Sequence, residues 1–138
     1  MKMTNKYQTS YKNLGQALER LTDIMNVGLD QNDFVLDAAI QRFEFVTELF
    51  WKTLKHFLLL KGVETVLPRD ALQKAYIAGW IKNEALWLQM MRDRNQTSHT
   101  YKHVLAVEIY QRVKSYLPEL QYGYEKIGEI FSQELDDG

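Results

Sequence analysis

A run of polar side chains, Arg94-Asn95-Gln96-Thr97-Ser98-His99-Thr100-Tyr101, holds the residue types that act on phosphodiesters. An imidazole titrating near neutrality can take the proton from a ribose 2′-hydroxyl or give one to the leaving 5′-oxygen, and His99 suits that role. A guanidinium is permanently charged and forked, so Arg94 could hold two phosphate oxygens and oppose the charge that builds on them in the transition state. The Asn95 amide can orient the phosphate or the imidazole. The Tyr101 phenol, two residues past His99, would lie beside the same site. No metal or cofactor is needed, because the attacking oxygen would belong to the RNA and yield a 2′,3′-cyclic phosphate end. One imidazole cannot be base and acid at the same instant. A two-fold axis near this junction would bring two Arg94/His99 pairs into one groove, so a homodimer would complete the site.

Each residue has a plainer reading beside this one. His99 could cap a helix or join a loop network, Arg94 could be taken up by Asp93 or Glu48, and Tyr101 could pack half-buried with a wet hydroxyl. Glu44, Glu48 and Lys52 share a helical face through four-residue steps, which makes Glu48 with Lys52 most simply an ion pair. A carboxylate on that face could also reach Arg94 and hold it for reaction, which would put Glu48 and Lys52 behind the site. His99 and His103 have the spacing of two metal ligands, but only if both lie in one helix and further donors approach; no metal is expected. His56 is expected on a helix surface. Trp51, Trp80 and Trp87 could stack a base, with core or interface packing the better expectation.

These groups need a scaffold, and the apolar spacing supplies it. Tyr7, Tyr11, Leu14, Leu18, Leu21 and Met25 step by threes and fours, the stripe of one helix. Asp33 is positioned to cap a second helix that runs unbroken to Gly62. Ile40, Phe43, Phe50 and Leu54 share one side of it, whereas Ala38, Phe45 and Leu49 lie well round the cylinder. Two faces therefore ask for burial, one inside the bundle and the other against a second subunit or a wide internal surface. Pro68 suits the first turn of a short third helix carrying Leu72, Tyr76 and Ile77 and stopping at Gly79. Asn83 can cap a fourth with Leu86, Trp87, Met90 and Met91, whose period breaks at Arg92. From Lys102 the pattern resumes through Leu105, Ile109, Val113 and Tyr116, with a kink or restart expected at Pro118. The acidic end Glu134-Leu135-Asp136-Asp137-Gly138 is expected to fray. The prediction is one all-α domain over 1–138, an antiparallel up-and-down bundle of four to five helices around a four-helix core.

Composition agrees and excludes several classes. With 46% hydrophobic residues in 138, the chain can build a sizeable core, and two prolines and seven glycines favour long helices over a many-turned β architecture. Lys+Arg 17 against Asp+Glu 18 leaves a formal charge of −1, so RNA contact would require a local patch drawn from Arg92, Arg94, Lys102 and Lys52. The absence of cysteine removes disulfides, thiolate metal sites and a Cys nucleophile, and suits a reducing compartment such as the cytoplasm. No export signal or membrane span is expected. There is no glycine-rich phosphate loop, no Gly-x-Ser-x-Gly and no paired aspartates of the kind a nucleotidyltransferase uses.

The Arg, four residues, His spacing with Asn after the Arg resembles the ribonuclease motif of HEPN domains. Arg42-Phe43-Glu44-Phe45, Glu48-Leu49 and Trp51-Lys52-Thr53-Leu54-Lys55 resemble the second helix of the HEPN subgroup called nucleotidyltransferase substrate-binding proteins. Pro68-Arg69, Ala78-Gly79, Leu86-Trp87 and Asp93 through Tyr101 follow in that subgroup's order, over residues 7 to 117. The resemblance implies a partner, a small separate nucleotidyltransferase, with the pair acting as toxin and antitoxin. It implies a ribonuclease held in check, with Tyr101 at the position onto which such partners transfer AMP. A bulky phosphate there would repel an RNA phosphate. The alternative it carries is a non-catalytic module that docks the nucleotidyltransferase and presents a substrate or nucleotide to it.

Overall fold

The computed structural model describes residues 2–137, with side chains from residue 6 to residue 134. Five α-helices follow in order: α1 (Lys2–Val27), α2 (Phe34–Leu60), α3 (Pro68–Ile77), α4 (Glu84–Gln96) and α5 (His103–Asp137). A single 3-10 turn, Thr97–His99, lies between the last two. No strand occurs among the described residues, so the all-α bundle expected from the apolar spacing is what the chain forms. No helix among them is long and apolar enough to cross a membrane.

The directions follow from who meets whom. Ser10 meets Thr53 and Arg20 meets Arg42, so α1 runs against α2. Phe43 stacks on Tyr116 and Phe57 packs on Phe131, so α2 and α5 run together. Trp87 reaches Glu119 and Asp93 reaches Arg112, so α4 runs against α5. Helices α1, α2, α4 and α5 thus go down, up, down and up, with α3 bridging α2 to α4. Helix α2 packs against all the others. That position answers its two apolar faces: Phe43, Val46, Phe50, Leu54 and Phe57 are buried, Leu49 is half-covered, and only Phe45 of the second face stays 54% exposed. Neighbouring helices of the same chain bury the first face, while the second keeps Ala38 and Leu49 half-covered and Phe45 exposed.

Local signals worked where the interactions are local. Pro68 begins α3, and the Asn83 side chain accepts the Leu86 N–H at 3.1 Å as the α4 cap. Gly79 takes a φ of 80° while Trp80 N–H returns to the Ala75 carbonyl, closing α3. Asp33 precedes α2 but does not cap it with its side chain. Its φ is 59°, Asp30 Oδ1 accepts the Val35 N–H instead, and the Asp33 carboxylate turns to His103 Nε2 at 3.3 Å. In α3 only Leu72 of the expected trio is buried; Tyr76 and Ile77 are exposed. Pro118 causes no restart. It lies on the exposed side of α5, where water can replace the missing N–H, and the helix is assigned without interruption. At the acidic end α5 continues to Asp137 and Glu134 forms an ion pair with Lys61, while Gly138 lies outside the described residues.

His56 does not sit on an open surface. It is half-buried between α2 and α1, with Nδ1 3.5 Å from Ser10 Oγ and its ring edge-on to Tyr7. Burial, then the charges of Lys6 and Lys55, push its pKa below 6.5. Its protonated form is therefore disfavoured in the native state, and the unfolded chain binds the proton first. Stability should be full above the unfolded value and fall as pH drops through about 6.5 toward the lower native value. Urea melts across that window should show the decline in the wild type and a flatter profile in His56→Gln; equal slopes would refute the assignment.

Close approach of α5 to the core depends on Gly123, where an added Cβ would lie 2.9 Å from Phe50 and 3.3 Å from Trp87. Helix propensity alone would favour alanine there by about 1 kcal/mol, but two buried rings cannot yield cheaply. Gly123→Ala should lower unfolding free energy by about 1–2 kcal/mol; a stabilised variant in urea denaturation would show that the rings can shift.

Candidate functional site

The polar run forms the last turn of α4 and the 3-10 turn after it, not a free loop between helices. Arg94 and Asn95 are helical, Thr97–His99 form the 3-10 turn, and Tyr101 lies just before α5 begins at His103. The helix continues because its inward positions beyond Met90 are filled by buried polar groups, Asp93 at 5% exposure and Thr97 at 7%. The Asp93 carboxylate takes two 2.8 Å hydrogen bonds from Arg112, through Nε and Nη2, and a third from the Tyr116 hydroxyl at 2.5 Å. That environment raises the pKa of Arg112, first through the Asp93 hydrogen bond, and raises that of Tyr116, first through burial and then through the same carboxylate. On the other side, Thr97 Oγ1 lies 2.5 Å from Glu44 Oε2 and 2.7 Å from the Arg94 carbonyl, its single proton serving both acceptors.

Between these two anchors the predicted residues face outward. Arg94, whose side chain is 31% exposed, pairs with Glu48 and not with Asp93, which is committed to Arg112. Its Nε is buried and 3.4 Å from Glu48 Oε2 without hydrogen-bond alignment. Glu48 also meets Lys52 at 3.4 Å, so a Lys52–Glu48–Arg94 chain links α2 to α4. Asn95 and His99 are exposed, and among the described residues neither side chain takes a hydrogen bond or ion pair; the His99 carbonyl accepts the Lys102 N–H. Tyr101 is 78% exposed rather than half-buried, edge-on to His99 at 6.3 Å between ring centroids, with the Lys102 ammonium 6.0 Å from its ring. His99 and His103 do not share a helix, His103 is paired with Asp33, and no cluster of three or more metal-ligating side chains occurs among the described residues.

Arg112, Tyr116 and the Glu44–Thr97 bond were missed in the sequence. They lie at separations of 19 to 53 residues, and no local pattern announces them. Trp80 and Trp87 are core residues, while Trp51 is half-buried beneath Lys55. A surface groove between α1 and α5, lined by Tyr11, Gly15, Tyr124 and Gly128, includes none of these residues.

Residues 3–129 match the family described as nucleotidyltransferase substrate binding protein like. The chain belongs to that family. A Haemophilus influenzae member named "Probable ribonuclease HepT" is 32% identical over 100 residues, covering 69% of this chain and 68% of its own. A solved protein from Thermus thermophilus superposes with a TM-score of 0.76 at 30% identity, over 83% of this chain and 98% of the other. A Haemophilus influenzae structure, presented as the fold of a substrate binding domain of a nucleotidyltransferase, gives 0.66 at 26% identity, over 90% and 98%. The bundle of these two solved proteins is therefore matched along nearly its whole length.

Because the Asn95 and His99 side chains are exposed and take no hydrogen bond, they should be removable without unfolding the nucleotidyltransferase substrate-binding fold. His99→Ala and Asn95→Ala should each change stability by less than about 0.5 kcal/mol. Thr97→Val, which takes the buried donor from Glu44, should cost about 1–3 kcal/mol. Chemical denaturation of the three variants checks this; a large loss in His99→Ala would mean the ring has a structural role.

Proposed function

We propose that this chain is a metal-independent endoribonuclease, held in check by a separate minimal nucleotidyltransferase. The observation that carries the reading is the outward presentation of Arg94, Asn95 and His99 on one polar junction, with Glu48 behind the guanidinium. The name of the Haemophilus ribonuclease relative supports it. In this reaction His99 accepts the ribose 2′-hydroxyl proton, the freed oxygen attacks the adjacent phosphorus, and the 5′-oxygen departs with a proton, leaving a 2′,3′-cyclic phosphate. Arg94 binds the non-bridging oxygens as their charge grows, and Asn95 orients the phosphate. Two copies about a two-fold axis would supply one imidazole as base and one as acid. The pair would act in the cytoplasm as toxin and antitoxin.

Regulation is proposed at Tyr101. Its hydroxyl attacks the α-phosphorus of ATP held by the nucleotidyltransferase, pyrophosphate leaves, and AMP remains on the phenol. The exposure of Tyr101 and its edge contact with His99 support this, since an adenylyl phosphate there would crowd the imidazole and repel RNA. A second reading is favoured by the Glu48–Arg94 pair and the formal charge of −1, which leave little free positive charge for RNA. In it the chain is a docking module that presents a substrate or nucleotide to the nucleotidyltransferase, as the description of the second Haemophilus structure suggests for that protein.

The deciding experiment incubates the protein in EDTA with end-labelled RNA beside Arg94→Ala and His99→Ala. Cleavage to cyclic-phosphate ends by wild type, reduced about a hundredfold or more in either variant, is the expected result. A folded wild type that leaves RNA intact would overturn the nuclease reading in favour of the docking module.

A further inference from the structure

A buried carboxylate adjoins the proposed phosphate-binding arginine, yet the chemistry above does not use it. Asp93 is one residue before Arg94 and four before Thr97, so 93 and 97 share the inward face of the α4 terminus while 94, 95 and 99 look out. Arg112 grips both Asp93 oxygens from α5, and Tyr116, itself fully buried and stacked on Phe43, donates to one of them. Thr97 ties the same turn to Glu44 of α2. The end of α4 is thus tethered to two different helices through directional polar bonds.

An apolar side chain at 93 could have filled this space, and replacing buried ion pairs by well-packed apolar groups is often neutral or stabilising. What a forked, two-bond carboxylate–guanidinium contact adds is azimuth and register, because it tolerates one orientation where leucine would tolerate several. In a helix one residue of slip turns a side chain by about 100°, enough to carry Arg94 away from Glu48 and to re-aim the 3-10 turn that carries His99.

We infer that Asp93, Arg112 and Tyr116 act as positioning residues, a clamp that fixes the rotation of the α4 terminus and so sets Arg94 against His99. The effect on cleavage rests on the ribonuclease reading; the effect on geometry does not.

The test uses Arg112→Lys, which keeps the charge and loses the fork, and Tyr116→Phe, which keeps the ring on Phe43 and loses one bond. Amide hydrogen exchange is followed across the chain with the thermal midpoint, and RNA cleavage is measured in parallel. A clamp predicts exchange about tenfold faster in residues 94–101 alone, as expected for loss of one charge-assisted bond, with little change in Glu84–Leu88 or the midpoint. It also predicts kcat lowered about tenfold to a hundredfold at unchanged KM, the signature of misplaced rather than missing groups. Exchange in 94–101 equal to wild type, or faster throughout the bundle together with a lower midpoint, would overturn the inference and leave the triad a stabilising contact only. A wild type without nuclease activity would sink the ribonuclease reading alone, and the exchange profile would still judge the clamp.

Discussion

Three phenylalanines spaced by seven residues, Phe43, Phe50 and Phe57, form the constraint on which the rest of the bundle depends. Each is fully buried on α2, and each meets rings from other helices: Phe43 with Tyr116, Phe50 with Trp87, Phe57 with Tyr7 and Phe131. A seven-residue step advances almost two whole turns, so one narrow stripe of α2 sets the distance of α1, α4 and α5 along its length. Large rings demand exact partners, and the small ones appear where they must: Gly123 lies over Phe50 and Trp87 because a methyl group would intrude there. The reciprocal notches of Gly15 under Tyr124 and Gly128 under Tyr11 do the same for α1 and α5, with the two phenols stacked 4.5 Å apart.

The polar junction is hung on that spine. Glu44 follows Phe43 directly, and Glu48 stands one turn further along the side of α2 that faces α4. Burial of Phe43 against Tyr116 therefore aims both carboxylates at the α4 terminus and brings the Tyr116 hydroxyl to Asp93. Apolar packing and polar placement are coupled through one side chain. Glu119 performs a comparable task at the opposite end of α4, where one oxygen accepts N–H groups from Lys82, Asn83 and the Trp87 ring. Helix α4 is short, and its two ends are fixed by carboxylates, one reaching in from α5 and one reaching out to it.

The parts of this arrangement that could be read from the sequence are those whose cause is local. The α1 stripe, Pro68 at the start of α3 and the Asn83 cap depend on residues within a turn of one another, and their spacing displays them. The α4 terminus does not, because the period of buried positions continues through Asp93 and Thr97, whose burial is tolerable only with Arg112, Tyr116 and Glu44 present. A polar residue in an inward position looks like the end of a helix until its partner is known. The same limit applies to Arg94. Asp93 and Glu48 were both open as partners, and the choice follows once α4 extends to Gln96, since adjacent helical residues point about 100° apart. The outward set Arg94, Asn95, His99 and Tyr101 was legible as a group. Its support was legible only in part: Glu48 and Lys52 could be read behind Arg94, whereas Arg112, Tyr116 and the Glu44–Thr97 bond could not. The two faces of α2 were legible too: the first is buried within the bundle, and the second stays half-covered at Ala38 and Leu49 and exposed at Phe45.

Charge around the junction is balanced rather than accumulated. Glu44 and Glu48 on α2 offset Lys52 and Arg94 one for one, so the inner layer contributes orientation without a net field. A carboxylate 3.4 Å from Arg94 Nε holds the guanidinium from behind and leaves its exposed third toward solvent, at the cost of weakening its pull on an incoming anion. The attraction that remains must come from the exposed cations beyond that layer, Arg92 and Lys102, together with whatever a second copy or a partner adds. Around Arg94, accuracy of placement is built in and long-range attraction is not. On the ribonuclease reading proposed above, such a site would discriminate by the local fit of a phosphodiester to the Arg94 guanidinium rather than by drawing polyanions toward the whole surface.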